Sequence, residues 1–265
     1  MRVAIITDVH GNLHALEAAL RDARAEAVDE VVVGGDTVNI LPHSKACWDM
    51  VAALGCPVLQ GNHEYYLYTC GTPAAPPEWA QERFKGLLWL RTQFSDADVL
   101  AMRALPLAHR LPGLLVTHAS PRSLFDSVSA DTPAETLREM FANTREPLLV
   151  RGHNHGWCEN RWDGRVLLTV ASCGLPLGGR LEAQYLLLER RETWRCQRRF
   201  VAYDREAALA TMDETYLEHY GPVGKLFRRE LQAGQDLLFP FWAQFQEPID
   251  RGELTLAEAV EGYLR

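Results

Sequence analysis

The chain begins with an apolar run that ends in a polar turn. Residues 3–6 are β-branched or small and show no polar alternation, which predicts a fully buried strand. Leucines at helical spacing follow, with Asn12 as the predicted N-cap of that helix. The turn between the two elements, residues 7–12, carries Asp8 and His10 two positions apart. Such a pair at the end of a strand can chelate a metal ion.

The same pattern, a hydrophobic run that ends in a polar cluster, recurs four more times. The further predicted strands cover residues 30–34, 57–60, 114–117 and 148–150. A helix from Ser44 to about Leu54 separates the second strand from the third. Since β-α-β-α-β order implies parallel strands with right-handed crossovers, the first three clusters should share one sheet edge. Ligands of open α/β sheets bind at that edge.

Outside these runs, the chain after residue 64 has a different pattern. Residues 65–112 favour helices behind a proline-rich loop, including one from Trp79 to about Leu90 and one capped by Ser95. Strands predicted near 165–170, 185–189 and 195–201 would form a second, more antiparallel sheet. From about residue 204 the chain is mostly helical and contains an apolar stretch over 237–245. This stretch could pack back on the sheets, cover the site as a lid, or form a dimer contact.

The polar clusters together offer the ligands of a metal centre. They supply Asp8, His10, Asp36, Asn62, His63, His118, His153 and His155. Imidazoles with carboxylates suit Mn, Fe, Co, Ni or Zn. The set is too large for one tetrahedral ion but sufficient for two ions that share a bridge, for which Asp36 is central in order. Two ions about 3.5–4 Å apart can bind both the attacking and the leaving oxygen in a displacement at phosphorus. The pattern therefore predicts a dinuclear hydrolase.

Composition narrows the range of partners. The 265 residues carry a formal net charge of -8, which argues against a long nucleic acid but not against a small phosphorylated substrate beside bound cations. No apolar run is long enough to span a membrane, and no targeting pattern precedes the first strand. The six cysteines show no paired spacing. We expect reduced thiols and a cytoplasmic location.

The five blocks together resemble the calcineurin-like metallophosphoesterases. Asp-x-His, Gly-Asp, Gly-Asn-His-Glu, His and Gly-His-x-His occur in that order between Asp8 and His155. The resemblance implies an α/β sandwich in which two mixed β-sheets pack face to face and are flanked by helices. It places a metallophosphoesterase domain at residues 1–203. Residues 204–265 are then a helical C-terminal extension packed on the same domain.

The resemblance also implies a role for each residue. The first ion takes Asp8, His10, Asp36 and His155, and the second takes Asp36, Asn62, His118 and His153. A hydroxide that bridges the two metals attacks phosphorus in line, with Asp36 as the catalytic bridging ligand. In the family, the histidine that corresponds to His63 is not a metal ligand. It contacts the phosphoryl group and protonates or stabilises the leaving oxygen.

Two positions depart from the phosphoprotein phosphatases of this family. Asn39 stands where those enzymes have an aspartate that orients the catalytic histidine, and Ile40 replaces a phosphate-clamping arginine. Asn39 can orient His63 but does not raise its basicity as a carboxylate does. The chain is more similar to the smaller bacterial phosphodiesterase-like branch, in which Gly-Asp leads to a proline-containing loop like residues 41–44 here. Asn39 and Arg122 are the two candidate contacts for the substrate, although for Arg122 a solvated loop arginine fits the sequence slightly better.

Several functions stay open at this point. Small phosphodiesters or nucleotides are the favoured substrates. A phosphomonoesterase acting on protein serine/threonine or on small molecules, and a dinucleoside polyphosphate hydrolase, are the alternatives. The fold also includes scaffolds that have lost metal ligands, but here the ligand set is complete and His63 is present. A homo-oligomer through the C-terminal helices is one further expectation.

Overall fold

The structure, a computed structural model, describes residues 1–265. The strands are β1 (Arg2–Ile6), β2 (Glu30–Val33), β3 (Ala108–Leu111), β4 (Leu114–Thr117), β5 (Leu148–Arg151), β6 (Cys158–Trp162), β7 (Arg165–Thr169), β8 (Ala183–Arg190) and β9 (Trp194–Val201). The helices are α1 (Leu13–Ala25), α2 (Ser44–Ala53), α3 (Asn62–Thr69), α4 (Lys85–Arg91), α5 (Asp96–Arg103), α6 (Ala134–Met140), α7 (Arg205–Ala210), α8 (Glu214–Tyr220), α9 (Val223–Ala233), α10 (Leu238–Asp250) and α11 (Leu256–Leu264).

Two mixed sheets form the centre of the fold, as predicted. The first sheet has the order β2-β1-β8-β9, with β1 parallel to β2 and antiparallel to β8. The second has the order β3-β4-β5-β7-β6, with β4, β5 and β7 parallel. Side chains of both sheets, such as Val3, Ile5, Val116 and Leu186, belong to one buried cluster. The sheets therefore pack face to face.

Burial on both faces explains why β1 lacks polar alternation. Val3 and Ile5 point into the cluster between the sheets, whereas Ala4 and Ile6 pack against α1 and α2. The second sheet is covered in the same way by α6 and by Val128 and Phe141, which lie before and after it. Strands covered on both faces lose contact with water, so their sequences become continuous apolar runs.

Two of the strand predictions need correction. Residues 57–60 are not a full strand, because only Val58 bridges to Val33, and Pro57 has no N–H to extend a ladder. The predicted later strands do not share one sheet. β7 lies parallel to β5 in the second sheet, while β8 and β9 extend the first sheet beside β1. Long-range pairing, which local pattern does not encode, decides the sheet to which each strand belongs.

The segment predicted as helical also differs in detail. The helix expected from Trp79 to Leu90 is split into two short 3-10 turns, Pro77–Ala80 and Glu82–Phe84, before α4. Residues 108–111 form β3 rather than the end of a helical region, and β6 was not predicted. The predicted caps Asn12 and Ser95 are confirmed, since both side chains accept backbone N–H groups.

Helices α7 to α11 pack on the rest of the chain. Tyr216 and Tyr220 of α8 join a buried cluster with Ile40, Leu41 and Leu175. The apolar stretch 237–245 lies mostly in α10, where fully buried Phe241 packs against α9 and α11 and Phe239 is 73% exposed. None of the eleven helices combines the length and the apolar character that crossing a membrane needs.

Candidate metal centre

The polar clusters lie together at the ends of four strands. Asp8 and His10 follow β1, Asp36 follows β2, His118 follows β4, and His153 and His155 follow β5. Asn62 and His63 open α3. The structure thus brings together every predicted metal ligand. Three groups of ligand atoms lie within 4.8 Å of one another: Asp8 with His10 and His155, His10 with Asp36 and His63, and Asp36 with His118 and His153.

The backbone of this cluster is strained. Apart from Ala27 and Asp163, every non-glycine residue with a positive φ lies in the cluster or in the loop after Asp36. They are Asp8, His10, Asp36, Asn39, Ile40, His153 and His155. Left-handed backbone is costly for most residues, and Ile40 at φ 75° is β-branched. Strain concentrated in this way is typical of functional sites, where the surrounding structure holds side chains in a required orientation.

Glu64 fixes the turn that carries Asp36. Its buried carboxylate accepts hydrogen bonds from the backbone N–H groups of Asp36 (2.9 Å), Thr37 (2.7 Å) and Gly61 (2.8 Å). Burial and the nearby Asp36 raise the pKa of Glu64 to about 7, against the lowering effect of these donors. The His63 N–H donates to Asp36 Oδ1 at 2.8 Å. The two loops that hold Asp36 and His63 are therefore tied to each other.

His118 shows that the centre suits a cation. Its Nδ1 lies 2.9 Å from the carbonyl oxygen of Gly34, which can only accept, so Nδ1 carries a proton. Its Nε2 faces Asn62 Oδ1 at 2.9 Å and Asp36 Oδ2 at 3.3 Å. A bare nitrogen beside two oxygens is repulsive unless a proton or a metal ion joins them. In the protein alone, burial lowers the pKa of His118, but Asp36 outweighs burial and raises the pKa to about 9.

The remaining imidazoles are in the neutral state that metals require. Burial and the adjacent His155 lower the pKa of His10 well below its usual value. Burial and His118 lower the pKa of His153 to about 3. The Nε2 atoms of His10 and His155 face each other at 2.8 Å beside Asp8. Neutral imidazoles and buried carboxylates that converge on common points fit divalent transition-metal ions.

His63 differs from the other histidines of the cluster. Its side chain is 18% exposed, whereas those of His10 and His118 are fully buried. Its Nε2 lies 3.9 Å from Asp36 Oδ2, and its Nδ1 lies 2.8 Å from Asn39 Nδ2. Burial lowers the pKa of His63. A neutral, reachable imidazole at the edge of the cluster can donate a hydrogen bond to a bound molecule.

The orientation of the Asn39 amide determines which nitrogen of His63 carries the proton. The backbone N–H of Ile40 donates to Asn39 Oδ1 (2.8 Å), and the Tyr220 hydroxyl lies 3.2 Å from the same oxygen. The Asn39 Nδ2 group therefore faces His63 and donates to its Nδ1. Neutral His63 then holds its proton on Nε2, which faces the cluster. No sequence pattern pointed to Tyr220 as a partner of Asn39, because the two residues are 181 positions apart.

Arg122 lies outside this network. Its Nε donates to Asp126 at 2.8 Å, a second contact reaches Glu139 at 3.8 Å, and its side chain is 46% exposed. The Asp126 carboxylate also accepts the Ser120 hydroxyl. These ion pairs hold Arg122 on the surface of the loop after β4, and a contact with substrate phosphate stays a prediction for this residue.

Gly61 supports Asp36 by leaving space for its carboxylate. A Cβ on Gly61 would collide with both the side chain and the backbone of Asp36. We expect Gly61→Ala to displace Asp36 and to weaken Mn²⁺ binding by about 10–100-fold, the usual effect of disturbing the support of a ligand. Calorimetric titration with Mn²⁺ measures this affinity. Gly262→Ala, where a Cβ meets no atom within 4 Å, is the matched control. Equal Mn²⁺ affinity in both variants would contradict this account of Gly61.

Comparisons with known proteins agree with this geometry. The sequence model of the calcineurin-like phosphoesterase family matches residues 1–157, more than half of the chain. A metallophosphoesterase from Sphaerobacter thermophilus is 26% identical, with a TM-score of 0.73 over 88% of this chain and 100% of that one. A hypothetical protein from Pyrococcus horikoshii shares the fold at 17% identity and a TM-score of 0.70, over 89% and 99%.

A curated relative matches the sequence over most of its length. An uncharacterized protein of Methanocaldococcus jannaschii is 22% identical over 216 residues, which cover 72% of this chain and 83% of that protein. Its description names no activity, so the family match and the geometry of the centre carry the assignment. The chain belongs to the calcineurin-like phosphoesterase family and is a metal-dependent phosphoester hydrolase.

Proposed function

We propose that this protein hydrolyses small phosphodiesters or nucleotides with two divalent transition-metal ions. One ion would be held by Asp8, His10, Asp36 and His155, and the other by Asp36, Asn62, His118 and His153. When bound, the ions supply the Lewis acidity that activates water and neutralises charge on the phosphoryl group. The convergence of Asp36, His118 and Asn62 on one point supports this assignment, since a cation removes their mutual repulsion.

The hydrogen bond from Asn39 to His63 carries the mechanistic part of the proposal. It leaves the proton of neutral His63 on Nε2, where it can donate a hydrogen bond to the leaving oxygen as that oxygen gains negative charge. Because Nε2 carries this proton, it offers no lone pair to a metal, and His63 acts as a hydrogen-bond donor and not as a ligand. Because Asn39 offers a donor and no negative charge, this arrangement favours the neutral imidazole over the imidazolium.

The surroundings of His63 favour a diester over a monoester. A monoester dianion benefits from an additional cation at the phosphoryl group, and Ile40 offers only a buried apolar side chain at the position after Asn39. Arg122 is already paired with Asp126 and Glu139. A diester carries a single negative charge and needs less compensation. We therefore place phosphomonoesters second among the substrates.

We further propose that residues 1–203 form the catalytic domain and that residues 204–265 are an extension of it. Tyr216 donates its hydroxyl to the Ile40 carbonyl (3.0 Å), and Tyr220 contacts Asn39 Oδ1. These two contacts from α8 restrain the strained loop that orients His63. The extension therefore helps to hold the residues of the site in position.

Substrate class is tested with bis(p-nitrophenyl) phosphate and p-nitrophenyl phosphate, which share one leaving group. With Mn²⁺, Ni²⁺ or Zn²⁺ supplied to metal-stripped protein, we expect kcat/KM for the diester to exceed that for the monoester by about tenfold or more, a difference of about 1.4 kcal/mol in transition-state binding. A preference for the monoester would assign the protein to the phosphomonoesterases instead.

The role of Asn39 gives a prediction about pH. Asn39→Asp keeps the shape of the side chain but places a carboxylate beside His63 Nδ1. An adjacent negative charge favours the imidazolium, so we expect the pKa of His63, read from the pH dependence of kcat, to rise by about 1–3 units. Asn143→Asp, at an exposed asparagine after α6, is the control. An unchanged kcat profile in Asn39→Asp would remove Asn39 from the mechanism.

A further inference from the structure

A cavity of about 490 Å³ opens beside His63. Asn39 and His63 form part of its wall, so it is continuous with the candidate catalytic centre. The other walls come from α3, from the 3-10 turns before α4, and from the C-terminal helices α8 to α10. Its volume lies within the range of small-molecule sites, about 300–1,000 Å³. The cavity can therefore hold a substantial part of a substrate.

Aromatic rings form a continuous wall that leads away from His63. The rings of His63 and Tyr66 are 5.3 Å apart between centroids, and Trp79 follows at 5.2 Å from Tyr66. Phe84 lies 5.8 Å from Trp79. Trp242 of α10 contributes to the lining from the C-terminal extension. Aromatic faces bind planar groups by stacking or by edge contacts.

One unpaired cation is embedded in this aromatic wall. The Arg83 guanidinium lies 5.2 Å from the Phe84 ring centroid and 5.6 Å from that of Trp242. Its Nε is buried without a hydrogen-bond partner, and the side chain makes no ion pair. The single acidic residue of the lining, Glu78, is exposed and does not pair with Arg83. A planar, stacked guanidinium with free donors suits a carboxylate or a phosphate.

We propose that the cavity binds the leaving alcohol of the substrate, and that this alcohol is aromatic and carries an anionic group that pairs with Arg83. This inference rests on the proposed phosphodiesterase function and on His63 as the donor to the leaving oxygen. The leaving group must lie on the side of His63, and the cavity occupies that side. The aromatic wall contacts the ring of the leaving alcohol, and Arg83 selects its charge.

The reaction balances without a further reagent. Water adds its oxygen to phosphorus, and the bond between phosphorus and the leaving oxygen breaks. His63 Nε2–H donates a hydrogen bond to that oxygen as it gains negative charge, and the proton released by the attacking water ends on the leaving oxygen, so His63 stays neutral throughout. The products are a phosphomonoester and the anionic aromatic alcohol.

A matched pair of diesters tests the charge preference. Methyl 4-(carboxymethyl)phenyl phosphate and its 4-(carbamoylmethyl) analogue have leaving phenols of nearly equal size and acidity, and only the first phenol is anionic. We expect kcat/KM to be about tenfold or more higher for the carboxylate, the size of effect expected of a charge-assisted hydrogen bond. Equal values for the two esters would overturn the proposal.

Substitutions assign the preference to one side chain. Arg83→Gln should abolish the preference for the carboxylate, and Arg83→Lys should retain part of it, because the charge persists without the planar fork. Arg161→Gln, at an exposed arginine of β6 paired with Glu159, is the control and should keep the full preference. A preference that survives in Arg83→Gln would contradict the role of Arg83.

A binding measurement separates this inference from the proposed function. Calorimetry of metal-free protein with 4-hydroxyphenylacetate reports on the cavity even if neither diester is hydrolysed. We expect weaker binding to Arg83→Gln than to the unsubstituted protein, and equal affinities would overturn the proposal. The dinucleotides ApA and ApAp identify the natural source of the ligand. A higher kcat/KM for ApAp, which carries a terminal phosphate, than for ApA indicates that the natural leaving group is a nucleotide. An increase in kcat/KM that is confined to the aryl esters indicates an aryl acid.

Discussion

Asp36→Asn is expected to abolish hydrolysis and to remove most of the bound metal. Asp36 lies nearest the middle of the centre, with one oxygen 3.3 Å from His118 Nε2 and 3.7 Å from His10 Nε2. The imidazoles of His118 and His63 overcome the effect of burial and lower its pKa well below the usual value, so it is anionic. Replacing it with a neutral amide removes the charge shared by both metal positions. We expect kcat/KM to fall by at least about 10³-fold.

The measurement combines elemental analysis of the purified variant with steady-state kinetics on a diester. Asp163→Asn, at an exposed carboxylate that pairs with Arg138, changes the same functional group far from the centre and should retain metal and activity. If Asp36→Asn retained two ions per chain and full activity, Asp36 could not be the bridging ligand.

His63→Ala is expected to separate catalysis from metal binding. Because its Nε2 carries the proton, His63 contributes no lone pair to an ion, and the metal content should stay at the level of the unsubstituted protein. The rate should fall by about 10²–10⁴-fold, the usual contribution of general acid–base catalysis. The loss should be larger for methyl phenyl phosphate than for methyl p-nitrophenyl phosphate, since the poorer leaving group depends more on a hydrogen bond to its oxygen.

A histidine outside the centre provides the control. His109 of β3 pairs with Glu30 at 3.0 Å, and His109→Ala should leave both metal content and the dependence on the leaving group unchanged. Loss of metal from His63→Ala would make His63 a ligand, which its proximity to His10 and Asp36 also permits on distance alone. An equal loss for both leaving groups would exclude His63 as the hydrogen-bond donor to the leaving oxygen.

The candidate centre could be predicted from the sequence because its ligands follow strand ends. An Asp-x-His turn after β1 and a Gly-His-x-His turn after β5 place ligands by local geometry, and parallel strands bring those turns to one edge. Asn39 could be recognised in the same way, since it follows Asp36 in the same turn. The family relationship inferred from these blocks is confirmed by the match over residues 1–157.

The remaining features depend on contacts between distant parts of the chain. β8 pairs with β1 through residues such as Arg2 and Glu189, which are far apart in the chain. The local pattern therefore could not show that β8 belongs to the first sheet and not to the second. Tyr220 reaches Asn39 only because α8 packs on the loop after β2. The helical spacing of its neighbours predicted a buried face but not the partner of the hydroxyl. Arg83 likewise becomes distinctive only when its lack of an ion pair is visible.

The central claim, a phosphodiesterase with two metal ions, is tested most directly by titrating metal-stripped protein with Mn²⁺. Calorimetry counts the ions bound, and hydrolysis of methyl p-nitrophenyl phosphate is followed in the same samples. We predict no hydrolysis without metal and activity that rises until about two equivalents are bound. Hydrolysis by the metal-free protein, or activity that is complete at one equivalent, would contradict the account.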